Sequence, residues 1–173
     1  MRTIILLRHA KSSRDDPETA DFDRPLSPRG KRAAKAVRAL LRRRKTIPDA
    51  VLASSAVRTA ETLRRIAPEL GAAPSVLLER RLYLASAAKL LARLKALDDS
   101  FQSVLLIGHN PGLQRLALLL AGRGKEEELA RLAAKFPTAG LAELAFPGAH
   151  WRELAPASAE LVFLWSPKDE ESD

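Results

Sequence analysis

Short apolar runs that end abruptly in charged or polar residues, separated by stretches with apolar residues at helical spacing, limit this chain's fold most strongly. Thr3-Ile4-Ile5-Leu6-Leu7 runs into Arg8-His9, and Val104-Leu105-Leu106-Ile107 runs into Gly108-His109. Ala50-Val51-Leu52-Ala53 leads through Ser54-Ser55 to Arg58. Strand-like runs alternating with helical stripes predict an α/β layer architecture rather than segregated halves. In an open α/β sheet, ligands bind outside the carboxyl ends of the strands. Three strand ends would therefore deliver two imidazoles and two guanidiniums to one place, a set that suits a phosphoryl group.

The helices can be read from their stripes and end signals. Ser27 reads as an N-cap with Pro28 at the first helical position, and Ala33, Ala34, Val37, Leu40 and Leu41 follow, predicting a helix from Pro28 to about Arg44. A second from about Val57 should bury Ala60, Leu63 and Ala67 and stop near Pro68 and Gly71. A third carries Ala87, Leu90, Leu91, Leu94 and Leu97. Asn110 and Pro111 read as cap and first turn of a fourth, with Gly122 as its stop. Glu126 to Lys135 forms a fifth. Further strands are expected at Val76–Leu78, Leu141–Phe146 and Leu161–Trp165. The polar loop from Lys11 to Arg24 is long enough to be functional or mobile, and the tail from Lys168 to Asp173 should fray.

The 173 residues suffice for one domain, 1–173, with a sizeable core, and the composition, 46% apolar and 29% charged, is that of a globular protein. No run has membrane-spanning length and the N-terminus lacks the pattern of a secretory signal, so a cytoplasmic protein is expected. With zero cysteines, disulfide and thiol chemistry are excluded. The net charge of +8 favours anionic partners. Nucleic acid is a poor candidate, because no aromatic side chains interleave with the basic ones as stacking platforms.

Phosphoryl transfer spreads charge over three equatorial oxygens, so its catalysis is mostly positioning and electrostatics. Arg8 and Arg58 would clamp that charge with planar, permanently charged donors. His9 as a neutral imidazole would be the nucleophile, needing neither metal nor other cofactor. A protonated His109 would hydrogen-bond the transferring group from the opposite side, helped by backbone N–H groups at the following helix start. A lone histidine at a strand end is commonly structural. Here two of only three histidines occupy equivalent strand ends, which argues otherwise. His150 has no such context and reads as surface or structural.

Four blocks carry a resemblance to the histidine phosphatase superfamily, most similar within it to the SixA-type phosphohistidine phosphatases. They are Leu7-Arg8-His9-Ala10-Lys11-Ser12, Arg24-Pro25-Leu26-Ser27-Pro28-Arg29-Gly30, Ser54 through Thr62, and Gly108-His109-Asn110-Pro111-Gly112-Leu113. Phe136-Pro137-Thr138-Ala139-Gly140 extends the likeness over nearly the whole chain. The resemblance implies a three-layer α/β/α sandwich around a mostly parallel sheet, and a two-step reaction through phosphohistidine on His9. It assigns Arg8, Arg58 and His109 to the rest of the pocket and places Ser12 and Arg24 near it. Ala10 stands where the superfamily usually has glycine. The acidic proton donor of larger relatives is ambiguous, with Asp21 and Glu79 as candidates and solvated surface as the alternative for both. The substrate implied is phosphohistidine in a partner protein of the histidine-phosphotransfer type. A small phosphorylated metabolite, such as a sugar phosphate or nucleotide, and a non-catalytic phosphate-binding module remain as alternatives.

Overall fold

A computed structural model describes residues 1–72 and 74–170. Its centre is a seven-stranded sheet of β1 (Arg2–Arg8), β2 (Ala50–Ser54), β3 (Ser75–Glu79), β4 (Ser103–Gly108), β5 (Ala121–Gly124), β6 (Leu141–Phe146) and β7 (Ala159–Trp165), in the order β3-β2-β4-β1-β6-β7-β5. Only β6 runs against the others, since it pairs antiparallel with both β1 and β7. The expected mostly parallel sheet is therefore present.

Successive side chains of a strand point to opposite faces, and the core divides accordingly. Ile4, Leu6, Val104 and Leu106 face one layer, packed against Leu90 and Leu94 of α3 (Ala87–Lys95), Leu113 and Leu116 of α4 (Gly112–Leu120), and Leu132 of α5 (Glu126–Ala134). Ile5, Leu7, Leu105 and Ile107 face the other, against Val37 and Leu41 of α1 (Pro28–Arg44) and Leu63 and Ile66 of α2 (Val57–Ile66). The result is the α/β/α sandwich, with both faces of the central strands buried. No helix of the described residues is long and apolar enough to cross a membrane.

This topology decides where a ligand can sit. From β1 the chain leaves through α1 on one face, whereas from β4 it leaves through α4 on the other. β1 and β4 are neighbours, so their diverging connections open a crevice at their carboxyl ends, the switch point at which α/β sheets bind ligands. Arg8 is paired with Gly108 in register, and the next residue of each strand is a histidine.

Several local expectations need correction. Gly122 does not stop α4 but lies in β5, where a Cβ would stand 2.2 Å from the Ala157 carbonyl oxygen. Ala-Gly-Arg-Gly has no apolar alternation, so β5 left no sequence signal. Asn110 does not cap α4: Pro111 holds the cap position, and the Asn110 amide donates to the Phe136 carbonyl at 2.9 Å. Ala60 and Ala67 are not on the buried face of α2, which instead carries Arg58, Thr59, Glu61 and Thr62 with Leu63 and Ile66. That helix is amphipathic about the site as well as the core. Pro167–Glu170 forms a short 3-10 turn rather than a frayed tail, with Asp169 bonded to the Ser166 amide and to Arg131. The last three residues of the expected tail lie outside the described residues.

Candidate active site

The aligned ends of β1 and β4 bring His9 and His109 to a ring-centroid separation of 5.0 Å, tilted by 52°. Arg58, from the first turn of α2, lies between them. Its Nε donates to His9 Nε2 at 3.3 Å, and its Nη2 stands 3.3 Å from His109 Nδ1. His9, Arg58 and His109 are all buried.

Hydrogen bonds fix the tautomers. His9 Nδ1 lies 2.7 Å from the Ala10 carbonyl, which can only accept, so Nδ1 carries the proton and Nε2 presents a lone pair. At His109, Nδ1 faces the Arg58 donor, so the ring proton is on Nε2, directed at Ser54 Oγ 2.8 Å away. Burial, followed by the charges of Arg58, Arg8 and Arg24, pushes His9 down to about 4 against the opposing pull of the Ala10 carbonyl. His109 is pushed down to about 3 by burial, by His9 and by Arg58, with Asp21 opposing. His109 is therefore neutral near pH 7 in the free protein, not protonated as expected. Desolvation and neighbouring cations both disfavour a second positive charge there.

The arginine beside the nucleophile is tied to the late segment of the chain. Arg8 Nη1 donates to the Phe136 carbonyl at 3.0 Å, and the Arg8 amide donates to the Gly140 carbonyl at 3.0 Å. The Ala139 amide returns to the Arg8 carbonyl at 3.0 Å and the His9 carbonyl at 3.1 Å. The Nε atoms of Arg8 and Arg24 are buried without a hydrogen-bond partner among the described residues. Buried donors of this kind cost free energy unless an acceptor meets them. Ala10 is fully buried in the core cluster that holds Leu26 and Ala34, outside the positive-φ region, so the site accommodates its Cβ.

The two candidate acids are not placed alike. Asp21 accepts from Arg58 Nη2 at 3.0 Å and Arg24 Nη2 at 2.9 Å, and the Tyr83 hydroxyl also donates to it. The Tyr83 hydroxyl first, then Arg58 and Arg24, hold its carboxyl below the usual range against partial burial. Glu79 ends β3 and is gripped by Arg93 at 2.8 Å and Arg81 at 2.5 Å. Burial works against its charge, but those two arginines pull it down to about 2. Both carboxylates are ionised, and neither stores a proton at neutral pH. Glu79 makes no hydrogen bond to the histidine pair. Ser12 is buried, and its backbone bridges Leu26. Arg24 acts on His9 through its charge. His150 lies apart, with Nδ1 2.8 Å from Asp99.

Further residues hold the cluster together. Ser54 ends β2, one residue past the Ala53–Ile107 pair, and contacts His109, as does Thr59 Oγ1 at 3.3 Å. The strand-end rule that located both histidines also reaches Ser54. Thr62, one helical turn past Arg58, accepts from the Ala10 amide at 3.1 Å and donates to the Arg58 carbonyl at 2.7 Å. Glu61 accepts from the Leu26 amide at 2.8 Å, tying the long loop to α2. Tyr83 sets its ring edge-on to His109, with centroids 5.3 Å apart. Nothing in the sequence near Tyr83 marks it, because it reaches the site only through the turn after an edge strand.

The family model for the histidine phosphatase superfamily (branch 1) matches residues 4–82. A Mycobacterium tuberculosis protein of uncharacterized function is 38% identical over 164 residues, covering 94% of this chain and 100% of that one. Among solved structures, SixA of Nakamurella multipartitia superposes with TM-score 0.83 at 30% identity, covering 96% of each chain. SixA of Agrobacterium tumefaciens superposes with TM-score 0.81 at 29% identity, covering 96% of this chain and 98% of that one. The paired histidines at adjoining strand ends, the sheet order and these likenesses agree: the chain belongs to the histidine phosphatase superfamily, and its structural neighbours include SixA proteins.

Proposed function

We propose that this protein is a phosphatase that works through phosphohistidine on His9 and takes its phosphoryl group from phosphohistidine in a partner protein. The unprotonated Nε2 of a neutral His9 attacks phosphorus, exchanging its hydrogen bond from Arg58 for a nitrogen–phosphorus bond, and the bond to the partner's imidazole breaks. Arg8 and Arg58 hold the equatorial oxygens where charge accumulates. As the dianion approaches, its negative charge outweighs the burial and the Arg58 charge that disfavour a proton on His109, and Nδ1 takes up a proton from solvent and donates it as a hydrogen bond to the phosphoryl oxygen. In the second step water bonds to phosphorus, the Nε2–phosphorus bond breaks, and orthophosphate leaves.

One observation carries the choice of substrate: Asp21 is tied to Arg58, Arg24 and the Tyr83 hydroxyl, and Glu79 to Arg93 and Arg81, so in the free protein both are held as ion-paired carboxylates rather than poised as acids. A sugar alkoxide leaving without an acid is a poor leaving group. A phosphohistidine already protonated on its second ring nitrogen departs as neutral imidazole and needs no proton from the enzyme. The phosphohistidine phosphatase activity proposed for the two SixA neighbours agrees with this reading.

The test is loss of label from a phosphorylated histidine-phosphotransfer domain, run beside a panel of sugar phosphates and nucleotides. Turnover of the phosphoprotein together with an acid-labile, base-stable adduct that disappears in His9→Ala is the expected result. Good turnover of phosphoesters with none of the phosphoprotein would reject the substrate. Absence of any adduct would reject the covalent route.

A further inference from the structure

We propose that a basic cleft beside Arg8, walled by Lys11, Arg29 and Lys135, receives acidic side chains that flank the phosphorylated histidine of a protein substrate. The inference rests on the phosphohistidine reading above and adds how such a substrate is selected.

The cleft has a volume of about 340 Å³, and Arg8, Lys11, Arg29, Lys135 and Lys168 contribute to its wall while, among the described residues, no Asp or Glu does. Arg8 belongs also to the reaction centre, so the two sites share a wall. The chain brings the other cations there by defined contacts. The Lys11 carbonyl accepts from the Ser27 amide at 2.9 Å and the Ser27 hydroxyl at 3.1 Å, which fastens the start of α1 to the loop after His9. Residue 30 must be glycine for this, since a Cβ there would stand 2.0 Å from the Lys11 carbonyl oxygen. The close approach sets Arg29 beside Lys11. Lys135 arrives from the opposite side, one residue before the Phe136 carbonyl that holds Arg8.

Other arginines of this protein are neutralised locally: Arg38 and Arg42 by Glu69, Arg44 by Glu143, Arg131 by Asp169. Among the described residues, the side chains of Lys11, Arg29 and Lys135 have no acidic partner within ion-pair distance. Like charges gathered in one concavity repel one another and focus a field that attracts anions. Lys11, Arg29 and Lys135 are exposed, so they keep their hydration at the rim. Exposed, mobile cations suit carboxylates presented on another protein's surface, where complementarity governs partner choice and encounter rate. An enclosed metabolite pocket would instead desolvate them.

The experiment compares two phosphohistidine peptides, one flanked by Asp and Glu and one by neutral residues, using the wild-type protein and an Arg29→Glu/Lys135→Glu double variant whose thermal midpoint is checked. Phosphoramidate, which has no flanking groups, is run alongside. The wild type is expected to favour the acidic peptide by about fivefold in kcat/KM at low salt, the scale of two exposed ion pairs. Added salt should shrink that preference, and the double variant should lose or invert it. Equal kcat/KM for both peptides, or a preference unchanged in the double variant, would overturn the proposal. So would a preference for small bisphosphates over monophosphates that the variant loses while treating the peptides alike. That outcome would assign the cleft to a metabolite's second anion. No turnover of phosphoramidate or of either peptide would instead strike the phosphohistidine reading, and this inference with it.

Discussion

Acidification should destabilise this protein through its two site histidines well before its carboxylates titrate. An ordinary histidine has its pKa at 6.5, whereas folding pushes His9 to about 4 and His109 to about 3. Below pH 6.5 the unfolded chain therefore binds protons that the folded chain refuses, and stability falls as pH falls. Down to about pH 5 the loss depends on the unfolded pKa alone, because both folded values lie lower. Between pH 7.5 and 5.5 each ring costs about 1.4 kcal/mol, and the pair about 3 kcal/mol. Glu79, with its value near 2, and the other paired carboxylates add their losses only below about pH 5, as the unfolded carboxyls begin to protonate. The assay is urea unfolding across this range in buffers free of phosphate and sulfate, since an anion bound to the folded state would mask the effect by mass action. A His9→Gln/His109→Gln variant should lose most of this pH dependence over the same interval. A wild-type loss below about 1 kcal/mol, or an equal loss in the variant, would refute the argument that these rings are buried neutral.

Arg58→Ala should slow phosphoenzyme formation by about 10²-fold in rapid quench, the usual loss for a single transition-state donor. Glu79→Gln should leave the pH–rate profile between pH 5 and 9 unaltered, because that carboxyl titrates far below the range; the disappearance of a limb would restore it as an acid. Thr62→Val should destabilise by about 1–2 kcal/mol in urea unfolding, since it strands the buried Ala10 amide. Gly30→Ala should cost about 2–3 kcal/mol by the same measurement, as overpacking against the Lys11 carbonyl forces the backbone to shift.

Much of the site was legible because its parts sit where strands end. Arg8, His9 and His109 follow continuous apolar runs, and a parallel strand buried on both faces leaves just such a run. Residues that reach the site from α2 beyond Arg58, or through the turn after an edge strand, could be given no role from the sequence. Thr59, Glu61 and Thr62 look like ordinary polar positions of an amphipathic helix. Their burial makes sense only once α2 is seen to cover the cleft as well as the sheet. Tyr83 depends on the turn after β3, and nothing in Arg80-Arg81-Leu82 marks where that turn sets the ring. The carboxylates were ambiguous for a different reason: Asp21 and Glu79 differ in the arginines that fold onto them, and those arginines come from distant segments.

By itself, the order of apolar runs, helical stripes and caps determined an α/β layer architecture with imidazoles and guanidiniums at its strand ends. Local patterning suffices there, because strand and helix periods are written in neighbouring residues. Tertiary structure alone decided the tautomers of the two histidines, the loss of charge on His109, and the ionisation of both candidate acids. Those properties depend on burial and on charges brought together from remote parts of the chain, which no short stretch of sequence encodes.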